Sequence, residues 1–101
     1  MAEDNGMRPV HPGEVLLQDY LQPLQMTALQ FADRLRVPAS RVEAVLCGDA
    51  DIDAPLALRI VRVFGGDARS WLNLQATYGV RLAEEDAALQ AELASIEAIG
   101  R

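Results

Sequence analysis

Residues 28–47, ALQFADRLRVPASRVEAVLC, decide the fold. Thr27 precedes them and Gln30 follows three positions later, the S/T-x-x-Q spacing of a capping box that opens a helix through Leu35. Pro38 opens the next helix, from Ala39 to about Cys47, and Gly48 stops it. Only Arg36, Val37 and the proline separate the two, so the chain must cross itself sharply, as in a helix-turn-helix. That geometry makes steric demands that can be checked position by position. A small residue must stand where the helices touch, and Ala32 does. Apolar side chains must point back to a core on both sides of the turn, and Phe31, Leu35, Val37, Val42 and Val45 do. One turn residue must adopt a left-handed backbone, normally as glycine. Here it is Arg36, at a cost of roughly 1–2 kcal/mol. The motif is met with that one mismatch.

The rest of the chain extends the same pattern. His11-Pro12-Gly13-Glu14 reads as a helix start, with His11 in a cap or turn role, proline in the first turn and a carboxylate near the helix dipole. Leu17, Tyr20, Leu21 and Leu24 follow at helical spacing, and Pro23 marks the end of that helix. Asp53 caps a further helix with Pro55 in its first turn and with Leu56, Ala57, Ile60, Val61 and Phe64 facing inward; Gly65-Gly66 ends it. Asp67 caps a fifth helix carrying Trp71, Leu72, Leu74, Gln75 and Tyr78, which Gly79 is expected to close. Leu82 to Ile99 reads as an acidic amphipathic helix with Leu82, Leu89, Leu93 and Ile96 on one face. No period-2 alternation and no internal repeat occur. The expected fold is all-α: a tail over 1–10, a five-helix helix-turn-helix domain over 11–81 that resembles the lambda-repressor type, and an additional C-terminal helix over 82–101.

Composition narrows the function. The chain has 101 residues, half of them hydrophobic, which is one globular domain rather than a disordered segment. It holds one cysteine and one histidine, too few for a disulfide framework, a multi-cysteine zinc site or most histidine-based catalysis. Cys47 is expected to be a small buried or half-buried hydrophobe, and Trp71 a core residue. Asp49, Asp51 and Asp53 alternate as in a calcium loop, but the glycine is misplaced and no glutamate follows at the twelfth position. Ser40 and Ser70 have no neighbouring base. No enzyme, metal or cofactor is therefore expected, and no apolar run is long enough for a membrane span. A cytoplasmic protein is expected.

The net charge is −6, yet residues 8–81 carry eight Arg against eight Asp and Glu. The excess of acid lies at the two ends, and none of the nine basic residues is Lys. Such a balance argues against a strongly cationic nucleic-acid binder. It leaves room for a dimer with one local Arg face, or for one built to meet a basic partner.

Taken together, His11-Pro12-Gly13-Glu14, the 28–47 pair, Ala57-Leu58-Arg59 with Phe64-Gly65, and Trp71-Leu72-Asn73-Leu74-Gln75 with Tyr78 resemble the HigA antitoxin family, over about residues 8–83. The resemblance implies a homodimer that neutralises a small basic ribonuclease toxin of the HigB type and represses its own operon by binding operator DNA. The candidate DNA-contacting residues are Thr27 and Ala28 at the start of the second helix, Arg36 and Pro38 of the turn, and Ala39, Ser40, Arg41, Glu43 and Ala44 of the third helix. Ser40 and Arg41 sit where such proteins reach base edges. Arg41 suits guanine O6 and N7, and Glu43 suits cytosine N4. One departure matters. Where many family members have Lys or Arg after the glycine, this chain has Asp49-Ala50-Asp51, which repels phosphate. A scaffold or interaction dimer with weakened DNA binding, or a stand-alone regulator, is the alternative.

Overall fold

A computed structural model of the chain describes residues 8–100. Most of the expected tail, and Arg101, lie outside that range. The described residues form helices and no strand.

Helix α1 is continuous over residues 12–24, with α-helical Pro12–Val15, π-helical Leu16–Leu21 and α-helical Gln22–Leu24. Its first turn is capped by His11, whose Nδ1 accepts the Gly13 N–H at 2.8 Å. The π turns come just before Pro23, which has no N–H to give and whose ring crowds the carbonyl four residues back. Widening the helix there accommodates it, so Pro23 lies inside the last turn, and Gln25, in the left-handed region at φ 55°, ends the helix. Helix α2 (Ala28–Leu35) carries the expected capping box, with Thr27 and Gln30 bonding each other's backbone N–H. Arg36 takes the left-handed conformation at φ 61° as the turn requires.

Helix α3 (Ala39–Leu46) follows Pro38 and is stopped at Gly48, φ 87°. Helix α4 (Ala54–Phe64) is capped by Asp53 and α5 (Ala68–Glu84) by Asp67. Helix α6 (Ala87–Ala94) is capped by Asp86, which accepts the N–H groups of Ala88 and Leu89.

Phe31 lies at the centre of a core formed by Leu16, Leu21, Ala32, Leu35, Val42, Val45, Ile52, Leu56, Ala57, Ile60 and Trp71. Phe64 stacks on Phe31, and Tyr20 bridges Phe64 and Trp71. The space among Leu16, Phe31, Leu35, Val42, Val45, Leu56 and Ile60 admits no water-sized molecule. Gly13 brings α1 against α3: a Cβ there would collide with the Val45 carbonyl oxygen. The two helices touch at the point where α1 begins, which makes glycine necessary.

Besides the stop at Pro23, further expectations need correction. Gly79 does not close α5, which runs on to Glu84. A helical glycine with open space around it costs only about 1 kcal/mol, which a long helix tolerates. Leu82 to Ile99 is therefore not one helix: Leu82 belongs to α5, the chain turns at Glu85 and Asp86, and Ile96 and Ile99 lie beyond α6. Of the expected apolar stripe only Leu89 is half-buried, while Leu82, Leu93, Ile96 and Ile99 are exposed. Leu24 and Leu74 face solvent too. Cys47 is exposed rather than half-buried, because α3 turns it away from Val42 and Val45.

Candidate nucleic-acid interface

The outer side of α3 presents Ser40, Arg41, Glu43 and Cys47, all exposed, with Ala39 and Ala44 half-buried beside them. Every other helix among the described residues begins with a side chain accepting from its first turn; α3 begins with Pro38, which offers none. The Arg41 N–H donates to the Pro38 carbonyl at 3.1 Å; those of Ala39 and Ser40 are left for water or an anion, and the helix dipole favours a negative charge at that point. Among the described residues, the end of α3 expected to meet DNA is thus the one helix start without a side-chain cap.

The remaining candidates are placed as follows. Thr27 is exposed, but its hydroxyl is committed to the Gln30 N–H at 3.1 Å. Ala28 is half-buried, while Arg36 and Pro38 stand exposed at the turn. The Arg36 backbone N–H donates to the Asp33 carbonyl at 3.2 Å, so its left-handed backbone is tied to the end of α2. Arg59, on α4, donates from Nη1 to the Leu35 carbonyl at 2.7 Å and satisfies another of the carbonyls that α2 leaves open.

Arg41 is not a loose side chain. Its Nη2 donates to Asp53 Oδ2 at 2.8 Å. The Leu56 N–H, and after it the Arg41 guanidinium, hold the Asp53 carboxyl below the usual aspartate range. At the far end of α3, the acidic loop divides. Asp49 receives the Cys47 thiol at 3.4 Å and stays on the α3 side. Asp51 turns to α5 instead, where its Oδ1 accepts from Gln75 Nε2 at 3.2 Å while Gln75 Oε1 accepts the Ile52 N–H at 2.7 Å. Sequence reasoning missed Cys47 on this face, the Gln75 clamp and the Arg41–Asp53 pair. The alternating aspartates were the available signal for the last, since an N-cap carboxylate has a second oxygen to offer.

No family model matches the chain. Virulence-associated protein I of Dichelobacter nodosus is 45% identical over 85 residues, which are 84% of this chain and 79% of that protein. Among solved structures, an addiction module antidote protein of the HigA family from Coxiella burnetii superposes with a TM-score of 0.82 at 36% identity, covering 92% of this chain and 100% of that one. The Pseudomonas aeruginosa antitoxin HigA, solved with the higBA promoter, gives a TM-score of 0.81 at 33% identity, covering 92% and 100%. With near-complete coverage, more than 30% identity and the same all-helical fold, the chain belongs to the HigA family of helix-turn-helix proteins.

Proposed function

We propose that this protein is the antitoxin of a type II toxin–antitoxin pair: a cytoplasmic homodimer that binds the operator of its own operon through α2 and α3 and holds a small basic toxin of the HigB type. The observation that carries the DNA half is α3 itself, a helix with an uncapped N-terminus that displays Ser40 and Arg41 outward, seated by the α2 turn in a chain of the HigA family. Ser40, Arg41, Glu43, Ala39 and Ala44 form the base-reading surface, and Thr27, Ala28, Arg36 and Pro38 flank it on the backbone side. A dimer is required because one recognition helix reads only half a site; the two would stand ~34 Å apart to enter successive major grooves. The toxin half is supported by the HigA relatives and by a net charge of −6 suited to a basic partner. Nothing in this reading asks for a catalytic step.

Asp49 favours a second reading, in which DNA binding is weak and the protein serves mainly to hold its partner. Two arms of one experiment separate them. Anisotropy titration of the full chain on the DNA upstream of its gene should show saturable binding at low salt, with a shallow salt slope because few phosphates are neutralised. Co-expression with the product of an adjacent small basic reading frame should yield a complex and relieve growth arrest. Complex formation without DNA binding would leave the holding role alone. Failure of both arms, or a scattering mass that stays at the monomer's 11.0 kDa, would overturn the antitoxin dimer.

A further inference from the structure

Asp53 occupies two places at once. Its Oδ1 accepts the Leu56 N–H at 3.0 Å and caps α4, while its Oδ2 accepts from Arg41 Nη2 at 2.8 Å. The cap anchors the carboxylate to a helix packed in the core through Leu56, Ala57 and Ile60, so the guanidinium is moored to the body of the domain. Val37, Pro55 and Leu56 line the hollow beside it. Arg59, the other cation there, is engaged by the Leu35 carbonyl and does not take the place of Arg41.

An arginine has five N–H donors, and this pair uses one of them. Enough remain for a bidentate contact to the O6 and N7 of guanine. A long side chain that is already held loses less rotamer freedom when it meets a base. The same carboxylate cancels the cation's charge, which weakens attraction to any phosphate backbone, whatever its sequence.

We propose that Asp53 is a positioning residue for DNA readout: it fixes the Arg41 guanidinium at the start of α3, sharpening sequence discrimination while lowering affinity for DNA in general. This rests on the reading of α3 as the base-reading helix. Arg41 touches the base; Asp53 acts through it.

The test is a selection from a randomised duplex library of about 20 base pairs, followed by titration of the enriched duplex and of random duplex with four proteins: the parent, Arg41→Ala, Asp53→Ser, and the double variant. Serine is a good N-cap but too short to reach Arg41, so α4 keeps its cap, and melting curves check this. The ratio of selected to random affinity should fall about 5- to 150-fold in Arg41→Ala. It should fall several-fold in Asp53→Ser while binding to random DNA tightens, and the double variant should fall no further than Arg41→Ala. Asp53→Asn, which also caps, should lie between the parent and Asp53→Ser. An unchanged ratio in Asp53→Ser, with Arg41→Ala impaired, overturns the positioning role and leaves the α3 reading intact. An equal loss from Asp53→Ser in the Arg41→Ala background shows an effect not routed through Arg41 and also overturns it. No enriched sequence, or an Arg41→Ala protein as selective as the parent, removes the α3 reading and this inference with it.

Discussion

The α2–α3 pair and the C-terminal stretch from Gly79 onward start from comparable local signals and end in opposite states. Each contains one well-capped helix: α2, through Thr27 and Gln30, and α6, through Asp86 and two backbone N–H groups. Both carry leucines at helical spacing. In the first, Phe31, Leu35, Val42 and Val45 are buried against α1 and α4. In the second, Leu93, Ile96 and Ile99 meet water, and every residue from 91 to 100 is exposed. A cap decides where a helix begins; only a partner surface decides whether its apolar face stabilises anything. The five carboxylates of that stretch favour water over a core.

Mutations can break this contrast in a graded order. The largest effect should come from deleting a core ring against deleting an exposed leucine. Phe31→Ala should cost about 3–5 kcal/mol, and Leu93→Ala less than about 0.5 kcal/mol, in denaturant unfolding at fixed protein concentration. A large loss from Leu93→Ala would mean that the C-terminal stretch is covered in solution, by a second copy for instance.

The two helical glycines come next, with opposite signs. Gly13→Ala drives a methyl into the Val45 carbonyl and should destabilise by roughly 1–3 kcal/mol. Gly79→Ala meets open space in a helical backbone and should stabilise by about 0.4–1 kcal/mol, provided that helix α5 forms as one piece. Thermal melts of the pair read this directly, and a destabilised Gly79→Ala protein would restore the expected break there.

Caps give a smaller difference. Thr27→Ala should lower global stability by about 1 kcal/mol, because α2 belongs to the cooperative core. Asp86→Ala should speed amide exchange in α6 and leave the unfolding midpoint where it was.

The smallest effect concerns acid. The Leu56 N–H and the Arg41 guanidinium depress the Asp53 carboxyl in the folded state, against an unfolded value of about 3.9. A depressed carboxylate adds stability that is fully present above the unfolded pKa and is lost as pH falls through the folded one. Asp53→Asn should therefore show a slightly shallower loss of stability below about pH 4, and salt should shrink the difference, since the pair faces water. Unfolding curves at pH 3 and pH 6 give the comparison. Identical acid sensitivity would show that neither the Leu56 N–H nor Arg41 holds the Asp53 carboxylate in solution.

The two regions also differ in how far they were legible. Local chemistry over 11–67 could be read residue by residue, apart from the stop expected at Pro23, because caps, turns and stops depend on neighbours within four positions. Thus the His11, Thr27, Asp53 and Asp67 caps and the left-handed Arg36 appear where the residue types require them. Beyond residue 78 the same reasoning placed a helix end at Gly79 and overlooked Asp86, since glycine weakens a helix without obliging it to stop. The candidate interface was legible as a set of exposed positions on α3, but not as an electrostatic arrangement. Arg41 was read as an unattached cation and Asp51 as an acid facing the backbone, whereas one is paired with Asp53 and the other is drawn to Gln75.

By itself, then, the order of residues determined the all-helical class, the helix-turn-helix crossing forced by Arg36-Val37-Pro38, and the apolar set that becomes the core. These follow from backbone preferences and hydrophobic spacing, which act over a single turn. The tertiary structure alone decided that Gly13 must yield to the Val45 carbonyl, that Cys47 faces outward, and that Asp53 holds Arg41. Each of these depends on where a side chain or carbonyl comes to rest once the helices have packed, and contacts between residues 12 to 32 positions apart are set by that packing rather than by local preference.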